Sequence, residues 1–293
     1  MSAESTRGDQ NLVAPGASLG LLSVLARRHL LWLLVRKDVQ IRYRGSVLGW
    51  VWSYLKPAAQ FAVYYIAVGE FLRLNSSMPN FPIYLFSGLV LINLFNEAFG
   101  NSTRAVVDNS DLIKKIYLPR ELFPVSSVII AFVNFLPQLL VLLVVCGFVG
   151  WHPSLLQIAC ILLAMLIIVT LALGLGLLFG AINVGLRDAQ NIVEMILLFT
   201  TWLSPVLYNI SLVRGVVPDF VLVLYQLNPI TGAVGLMHYG VWFPTTDQTP
   251  EVASLVGSDI LLFGGLGLAL SLVLLIVGQV VFRKLEKSFA QNL

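Results

Sequence analysis

The chain has 293 residues, of which 58% are hydrophobic and only 11% are charged, and its mean hydropathy is +0.87. An ordinary soluble domain has about 25% charged residues, so this composition leaves too little polar surface for a soluble enzyme. The formal net charge is +3, and the sequence contains no RNA-binding motif or basic patch that would indicate a nucleic-acid partner. The composition therefore indicates a polytopic membrane protein.

The chain begins with a polar segment that is followed by a basic one. Residues 1–19 contain no apolar core of the length that a secretory signal needs, and they are predicted to form a flexible cytoplasmic tail. Residues 20–56 alternate the short apolar runs LLSVLA and LLWLLV with basic clusters that include Arg28 and Arg36. This pattern favours an amphipathic helix lying in the cytoplasmic interface, and a plain membrane anchor is the alternative.

Six later segments are apolar for about twenty residues, the length that a helix needs to cross a hydrocarbon layer of roughly 30 Å. They occupy residues 57–74, 82–102, 124–149, 154–182, 191–208 and 260–282. Their backbone groups must be satisfied internally, which predicts an all-α fold with six transmembrane helices in residues 57–293. Polar side chains in the first two segments, such as Asn93 and Glu97, are expected to face the protein interior or an aqueous path.

The distribution of positive charge predicts the orientation. Of the 18 Lys and Arg residues, only Arg73 and Arg214 fall on the side of a six-span topology opposite the termini. Because positive residues accumulate in cytoplasmic loops, both termini are predicted to be cytoplasmic. A topology with five or seven spans would place loops rich in Lys and Arg on both sides of the membrane.

The loop between the second and third spans, residues 103–123, contains an amphipathic stretch. Asp108, Asn109 and Ser110 are suitable helix caps, LIKKIYL makes two helical turns, and Pro119 ends them. We therefore predict a short helix parallel to the membrane. Its apolar residues need a surface to cover them, which favours a docking site for a cytoplasmic partner over a loop that only fixes topology. These apolar residues are Leu112, Ile113, Ile116 and Tyr117.

The segment between the last two spans, residues 209–258, is predicted to be external. Its apolar pieces are too short to cross and are broken at Pro218, Asn228, Pro229 and Gly232. A re-entrant pair of short helices at about residues 215–245 fits this pattern if it is buried against protein.

No catalytic or metal-binding motif is found. The sequence has no GxxxxGK[ST] loop for ATP, and its three histidines, His29, His152 and His238, are on separate segments, which favours solvated or interfacial side chains over a metal site. Cys146 and Cys160 are expected to be core residues. Two intramembrane carboxylates could form a proton relay, although satisfied interior polar residues are the simpler interpretation. They are Glu97 and Glu194.

Five ordered motifs carry a family resemblance. They are RYRGSVLGWVWSYLKP (42–57), LIKKIYLPRELFPV (112–125), SPVLY (204–208), LNPITG (227–232) and FRKLEKSFA (282–290). Together they make the chain resemble the permease subunits of ATP-binding-cassette polysaccharide exporters, which move lipid-linked O-antigen, teichoic acid and related glycans. The resemblance covers nearly the whole chain after the tail.

The resemblance implies a homodimer of six-span subunits with two copies of a separate ATPase subunit, which binds ATP and Mg. The chain itself would have no enzyme activity and no cofactor. Its residues 112–121 would transmit the stroke of the ATPase, and the external re-entrant segment would form an outer gate. The residues implied for coupling are Leu112, Ile113, Lys114, Lys115, Ile116, Tyr117, Pro119, Arg120 and Glu121, with Lys114, Lys115, Arg120 and Glu121 as polar contacts. The residues implied for the gate are Asn228, Pro229 and Gly232.

The resulting hypothesis is export of a polyprenyl-diphosphate-linked polysaccharide across a bacterial plasma membrane, from the cytoplasm to the outer face. Arg42 and Arg44 could receive the diphosphate, or equally ordinary anionic lipids. Aromatic rings could form a path on which the glycan slides, or they could serve as a lipid belt or core. These rings are Trp50, Trp52, Tyr54, Tyr64, Trp202 and Tyr208.

Three other functions remain open at this point. A permease of the same architecture could export a drug or a simple lipid, because the motifs concern shape more than cargo. A proton-coupled secondary carrier could use the two intramembrane carboxylates. A membrane glycosyltransferase would need an acidic metal-binding motif, which is absent from the sequence.

Overall fold

The computed structural model describes residues 20–43, 51–115, 118–257 and 259–289. These ranges are helical with short connections and contain no strand. The α-helices are α1 (Leu21–Ala26), α2 (Arg28–Tyr43), α3 (Trp52–Tyr64), α4 (Leu74–Ser77), α5 (Phe81–Asp108), α6 (Ser110–Lys115), α7 (Leu122–Phe148), α8 (Leu155–Gly185), α9 (Asp188–Thr200), α10 (Ile210–Arg214), α11 (Asp219–Leu227), α12 (Pro229–Met237), α13 (Pro250–Val256) and α14 (Ile260–Leu285). The predicted all-α fold is confirmed for this part of the chain, and the tail predicted at 1–19 lies outside it.

Four helical stretches in the described ranges are long and apolar enough to cross a membrane. They are Phe81–Asp108, Leu122–Phe148, Leu155–Gly185 and Pro250–Leu285. A fifth is added if the bent pair Asp219–Leu227 and Pro229–Thr245 is taken as one span. The protein is therefore a multi-pass membrane protein with four or five candidate spans, and the count of six stays a prediction.

The first and fifth predicted spans have irregular helices. α3 continues as a π-helical segment, Tyr65–Phe71, so the first predicted span is helical from Trp52 to Phe71. The fifth predicted span begins as α9, but residues 201–207 form turns. Pro205 explains this ending, because its ring removes a backbone donor and disfavours helical geometry in the residue before it.

The core forms where α5, α7, α8 and α14 pack together, and small residues allow the closest approaches. Gly176 and Gly180 of α8 lie against Ser102 and Thr103 of α5, where an added Cβ would collide with Ser102 at Gly176 and lie only 3.1 Å from the Ser102 carbonyl oxygen at Gly180. Gly174 of α8 meets α14 in the same way. Close backbone approach through small residues is a common mode of helix packing in membranes.

Local signals set the start of α8 and the positions of the cysteines. Ser154 and Gln157 form a capping box, in which the Gln157 N–H donates to Ser154 Oγ at 3.3 Å and the Ser154 N–H donates to Gln157 Oε1 at 2.7 Å. Cys146 and Cys160 are buried and free, so their predicted place in the core is confirmed.

The basic N-terminal segment forms α1 and α2, which pack against the bundle. Val24 and Leu34 are buried in a small apolar cluster, whereas Trp32, Leu33 and Ile41 of α2 are exposed. Exposed apolar side chains on a membrane protein are suited to contact with lipid. The interfacial placement of this segment stays a prediction.

Candidate functional site

The predicted coupling segment begins with α6, directly after the long helix α5. Asn109 joins the two helices, because its backbone carbonyl accepts hydrogen bonds from the N–H groups of Leu112 at 3.1 Å and Ile113 at 3.0 Å. Its side-chain oxygen accepts a hydrogen bond from Lys37 Nζ at 3.1 Å. This last contact ties α2 to the start of the coupling segment.

The apolar side chains of α6 are covered by the chain itself. Leu112 and Ile113 are half-buried and pack against a cluster from α1, α2, α5 and the start of α7. The buried members of this cluster are Val24, Leu34, Ala105, Leu122 and Phe123. Lys114 and Lys115 are exposed, so the described part of α6 carries positive charge at the protein surface. The predicted docking residues Ile116 and Tyr117 lie outside the described residues.

Arg120 joins the linker after α6 to the end of α14. Its Nη1 donates a hydrogen bond to the backbone carbonyl of Glu286, and its guanidinium carbon lies 5.5 Å from the centroid of the Phe289 ring. A cation in this position is attracted by the negative face of the ring. The linker and the residues just after α14 are thereby held together, although they are far apart in sequence.

The neighbouring Glu121 is fully buried and accepts a hydrogen bond from Gln279 Nε2 of α14 at 3.2 Å. The family resemblance implied that Arg120 and Glu121 are polar contacts to the ATPase. In the structure Glu121 contacts Gln279 of α14, and Arg120 contacts Glu286 and Phe289 just after α14. Contact of these two side chains with an ATPase stays a prediction. Pro119 lies in the non-helical link before them, as expected for a residue that cannot continue a helix.

Three of the six aromatic residues predicted to line a glycan path lie together. The rings of Tyr64 and Trp202 pack edge to face with centroids 6.4 Å apart. The Tyr208 hydroxyl donates a hydrogen bond to the Trp202 carbonyl at 2.6 Å. Trp202 is exposed, whereas Tyr64 and Tyr208 are half-buried.

The other three aromatic residues do not join this cluster. Trp52 and Tyr54 are exposed at the opposite end of α3. At the helical rise per residue, Tyr54 is roughly 15 Å from Tyr64. Trp50 lies outside the described residues, as does Arg44, and the side chain of Arg42 is not described either.

The predicted outer gate is a sharp bend between α11 and α12. Asn228 lies at the bend and accepts a hydrogen bond from the Ile230 N–H at 3.1 Å, and Pro229 is the first residue of α12. The helices on either side differ in direction by 79°. A Cβ added at Gly232 would lie 3.1 Å from the Phe263 carbonyl oxygen, so α12 packs closely on α14. The three predicted gate residues therefore share one buried bend.

The sequence motifs and this architecture agree with a comparison against protein families. The model of the ABC-2 type transporter family matches residues 29–242, which is more than half of the chain. The chain belongs to the ABC-2 type transporter family.

Curated relatives of this ABC-2 transporter chain include export permeases. The O-antigen export system permease protein RfbA of Myxococcus xanthus is 31% identical over 272 residues, which cover 91% of this chain and 96% of the relative. A protein of the same name from Klebsiella pneumoniae is 27% identical over 264 residues, which cover 90% and 95%. The polysialic acid transport protein KpsM of Escherichia coli is 20% identical over 168 residues, which cover 56% and 64%. The resemblance indicated by the motifs is thereby confirmed.

A buried aromatic group that was not predicted holds the segment between α9 and α14 of this ABC-2 transporter to α5. The Tyr84 hydroxyl lies 2.8 Å from the Pro205 carbonyl oxygen and 3.0 Å from that of Tyr208. The His238 ring stacks on Tyr84 with centroids 3.7 Å apart, and its Nε2 lies 3.1 Å from the Tyr84 carbonyl oxygen. The Trp242 ring meets Tyr84 edge to face at 5.1 Å. The group joins α5, the turns after α9 and the helical segment after α12.

His238 was predicted to be solvated or interfacial. Its side chain is only 1% exposed, so the prediction of a solvated ring is wrong. The hydrogen bond and the stacking on Tyr84 satisfy the ring inside the protein. A lone histidine within the apolar run GLMHYGVW was the available signal, because a buried polar group needs a partner. His29 and His152 are exposed.

The two carboxylates considered for a proton relay each meet an amide donor. Asn134 Nδ2 donates to Glu97 Oε1 at 2.7 Å, and Gln190 Nε2 donates to Glu194 Oε1 at 3.1 Å. Glu97 is half-buried and agrees with the interpretation of a satisfied interior residue, whereas Glu194 is exposed. Within the described ranges, no group of three His, Cys, Asp or Glu side chains could hold a metal ion.

The side chain of Glu286, whose backbone carbonyl accepts the hydrogen bond from Arg120, has a raised pKa. Burial raises the pKa of its carboxyl from 4.5 to about 7, with a further contribution from the nearby Glu121, whereas Arg120 and Arg283 oppose the rise. Between these two pKa values the folded protein keeps a proton that the unfolded chain releases. The contribution of Glu286 to stability therefore falls as the pH rises from about 4.5 to 7.

We expect the Glu286→Gln variant to be more heat-stable than the wild type at pH 8, because it removes a buried carboxylate. The difference in apparent Tm should be about 2–4 °C, which corresponds to about 1 kcal/mol after discounting for solvent screening. It should shrink toward pH 5, where the wild-type carboxyl is itself neutral. Thermal unfolding of the purified protein across this pH range measures the effect. Glu251→Gln, at an exposed glutamate of α13, is the matched control, and equal pH profiles for both variants would contradict the prediction.

Proposed function

We propose that this chain is the transmembrane subunit of an ABC exporter that moves a polyprenyl-diphosphate-linked polysaccharide from the cytoplasm to the outer face of the bacterial plasma membrane. The supporting observation is its similarity to the O-antigen export permease of Myxococcus xanthus across 91% of its length. O-antigen and polysialic acid, which appear in the names of its relatives, are both glycans. A glycan cargo is therefore favoured over a drug or a simple lipid.

The working unit proposed is a homodimer of this chain with two copies of an ATPase subunit, which supplies the ATP and Mg sites. Each chain would cross the membrane six times with both termini in the cytoplasm. The charge asymmetry supports this orientation, because only Arg73 and Arg214 among the 18 Lys and Arg residues oppose it.

In the proposed mechanism, the ATPase contacts the exposed lysines of α6, and the stroke passes through the linker into α14. The intramolecular contact of Arg120 with Glu286 and Phe289 supports this route. Force applied to the linker is then transmitted to a membrane helix without a further partner.

The glycan would pass the aromatic cluster of Tyr64, Trp202 and Tyr208 and leave through the bend at Asn228. Aromatic faces bind sugars through weak, extended contacts, which allow a polymer to slide. The guanidinium groups of Arg42 and Arg44 would receive the diphosphate, for which a planar fork of donors is well suited.

The proposal predicts that the double variant Lys114→Glu/Lys115→Glu loses its ATPase partner. Reversal of both charges should reduce co-purification of the ATPase, and export of lipid-linked glycan to the cell surface, by at least about tenfold, because repulsion replaces attraction at the docking face. Co-purification and surface glycan are measured on cells expressing both subunits.

The matched control is Lys284→Glu/Lys287→Glu, which reverses one exposed lysine at the end of α14 and another just after it. This control should keep both the partner and export. Transport by the purified chain alone in vesicles without nucleotide would instead support a secondary carrier. Unchanged surface glycan in a strain lacking the chain would contradict the glycan cargo.

A further inference from the structure

A cavity of about 350 Å³ lies between α2, the end of α5 and the start of α7. Its size falls within the range of small-molecule sites, which is roughly 300–1,000 Å³. It has both polar and apolar lining residues, and it borders the joint between α5 and α6 at Asn109. The cavity is separate from the aromatic cluster and the outer bend described above.

The lining of the cavity contains one cationic and two anionic side chains. On one wall, Lys37 Nζ lies 3.3 Å from Asp38 Oδ1 and also donates to Asn109 Oδ1. Asp108, one turn after Arg104, is an exposed lining residue at the end of α5. A bound molecule therefore meets a cationic group at Lys37 and anionic groups at Asp38 and Asp108.

Neutral residues complete the lining. The Asn101 amide and the Ser127 hydroxyl offer hydrogen bonds, and Ile130 supplies a buried apolar wall. Ile41, at the rim, is 59% exposed on the same helix as the exposed Trp32. The cavity is thus polar inside and bordered by a surface suited to acyl chains.

We propose that this cavity binds the headgroup of a zwitterionic phospholipid with a primary ammonium group, of the phosphatidylethanolamine type. The ammonium would lie against Asp108 and the phosphate against Lys37, while the Asn101 amide donates to an ester oxygen and Ile41 borders the first acyl carbons. A purely anionic headgroup would add negative charge to a lining that already has two carboxylates and a single lysine, and bringing an uncompensated charge out of water is costly.

This lipid is distinct from the cargo proposed above and would act as a structural ligand. Because Lys37 also contacts Asn109, an occupied site holds α2 against the start of α6. The composition of the membrane would then influence how firmly the coupling segment is seated. The inference does not depend on the identity of the exported molecule.

Native mass spectrometry of the purified full-length chain tests the proposal. Phosphatidylethanolamine and phosphatidylglycerol with identical acyl chains are titrated in parallel into delipidated protein in a non-ionic detergent. We expect one phosphatidylethanolamine to bind per chain at least about fivefold more tightly than phosphatidylglycerol. Asp108→Asn and Lys37→Met should each weaken that binding at least about fivefold, because each removes one of the two opposite charges.

Two control variants remove one negative and one positive charge outside the cavity and should leave binding unchanged. They are Asp111→Asn, at an exposed residue of α6, and Lys284→Met, at the end of α14. Ser127→Leu, which fills the cavity without altering charge, should weaken binding as well. Equal affinity for the two lipids, or unaltered binding in Asp108→Asn and Lys37→Met, would overturn the proposal. Complete competition by soluble glycerophosphoethanolamine at the same concentration would overturn its assignment to a lipid.

Discussion

The Gly278→Ala variant is expected to lose about 3 kcal/mol of stability or more, with an apparent Tm lowered by roughly 6–12 °C. A Cβ at Gly278 of α14 would collide with the carbonyl oxygen of Gly174 in α8, and a Cβ at Gly174 would lie only 2.7 Å from the backbone nitrogen of Leu275. Because the obstacles are backbone atoms, no side-chain rotation can relieve the overlap. Thermal unfolding in detergent and the amount of protein inserted in membranes measure the effect.

Gly265→Ala is the matched control, because it makes the same change on the same helix. An added Cβ at Gly265 meets no atom within 4 Å. Alanine favours a helix over glycine by about 1 kcal/mol, so this variant should be as stable as the wild type or slightly more stable. If both variants unfold at the same temperature, the two helices do not approach as closely as described.

Arg120→Ala is expected to lower export by at least about tenfold while the ATPase subunit still binds and hydrolyses ATP. The substitution removes the hydrogen bond to the Glu286 carbonyl and the contact with the Phe289 ring. A hydrogen bond to a charged group contributes roughly 1.5–3 kcal/mol, enough to separate the linker from α14. Surface glycan, ATPase rate and co-purification are measured on the same membranes.

Lys287→Ala, at an exposed residue next to Glu286, is the control and should retain export. Arg120→Lys should recover only part of the loss, because an ammonium group lacks the planar guanidinium fork. Loss of the ATPase from the Arg120→Ala complex would show that this side chain docks the partner directly. Normal export by the same variant would show that the stroke enters the membrane by another route.

Local sequence patterns were sufficient for the elements that depend on neighbouring residues. Long apolar runs predicted α5, α7, α8 and α14, since a helix in lipid needs only its own hydrogen bonds. Asn228 and Pro229 predicted the bend between α11 and α12, because a capping side chain followed by proline starts a new helix. The short helix α6 followed from its caps and from Pro119.

Contacts between distant segments could not be predicted in this way. The stacking of His238 on Tyr84 and the bond from Arg120 to Glu286 join residues 154 and 166 positions apart. No periodic pattern in the sequence marks either pair of residues, because tertiary packing decides which residues meet. The coverage of Leu112 and Ile113 by α1, α2 and α7 could not be predicted for the same reason. These two residues were instead assigned to a docking surface for a cytoplasmic partner.

The glycine contacts also have a mechanical consequence. α14 is bound to the linker at one end through Glu286 and Phe289, and near its other end Gly267 lies against Pro229, where an added Cβ would be 3.3 Å from the proline Cα. From Gly267 to Glu286 the helix rises by roughly 29 Å, at about 1.5 Å per residue. A small tilt of α14 imposed at the linker therefore displaces the bend between α11 and α12, which α14 contacts near its other end. The close contacts between α14 and α8 restrict the direction of that movement.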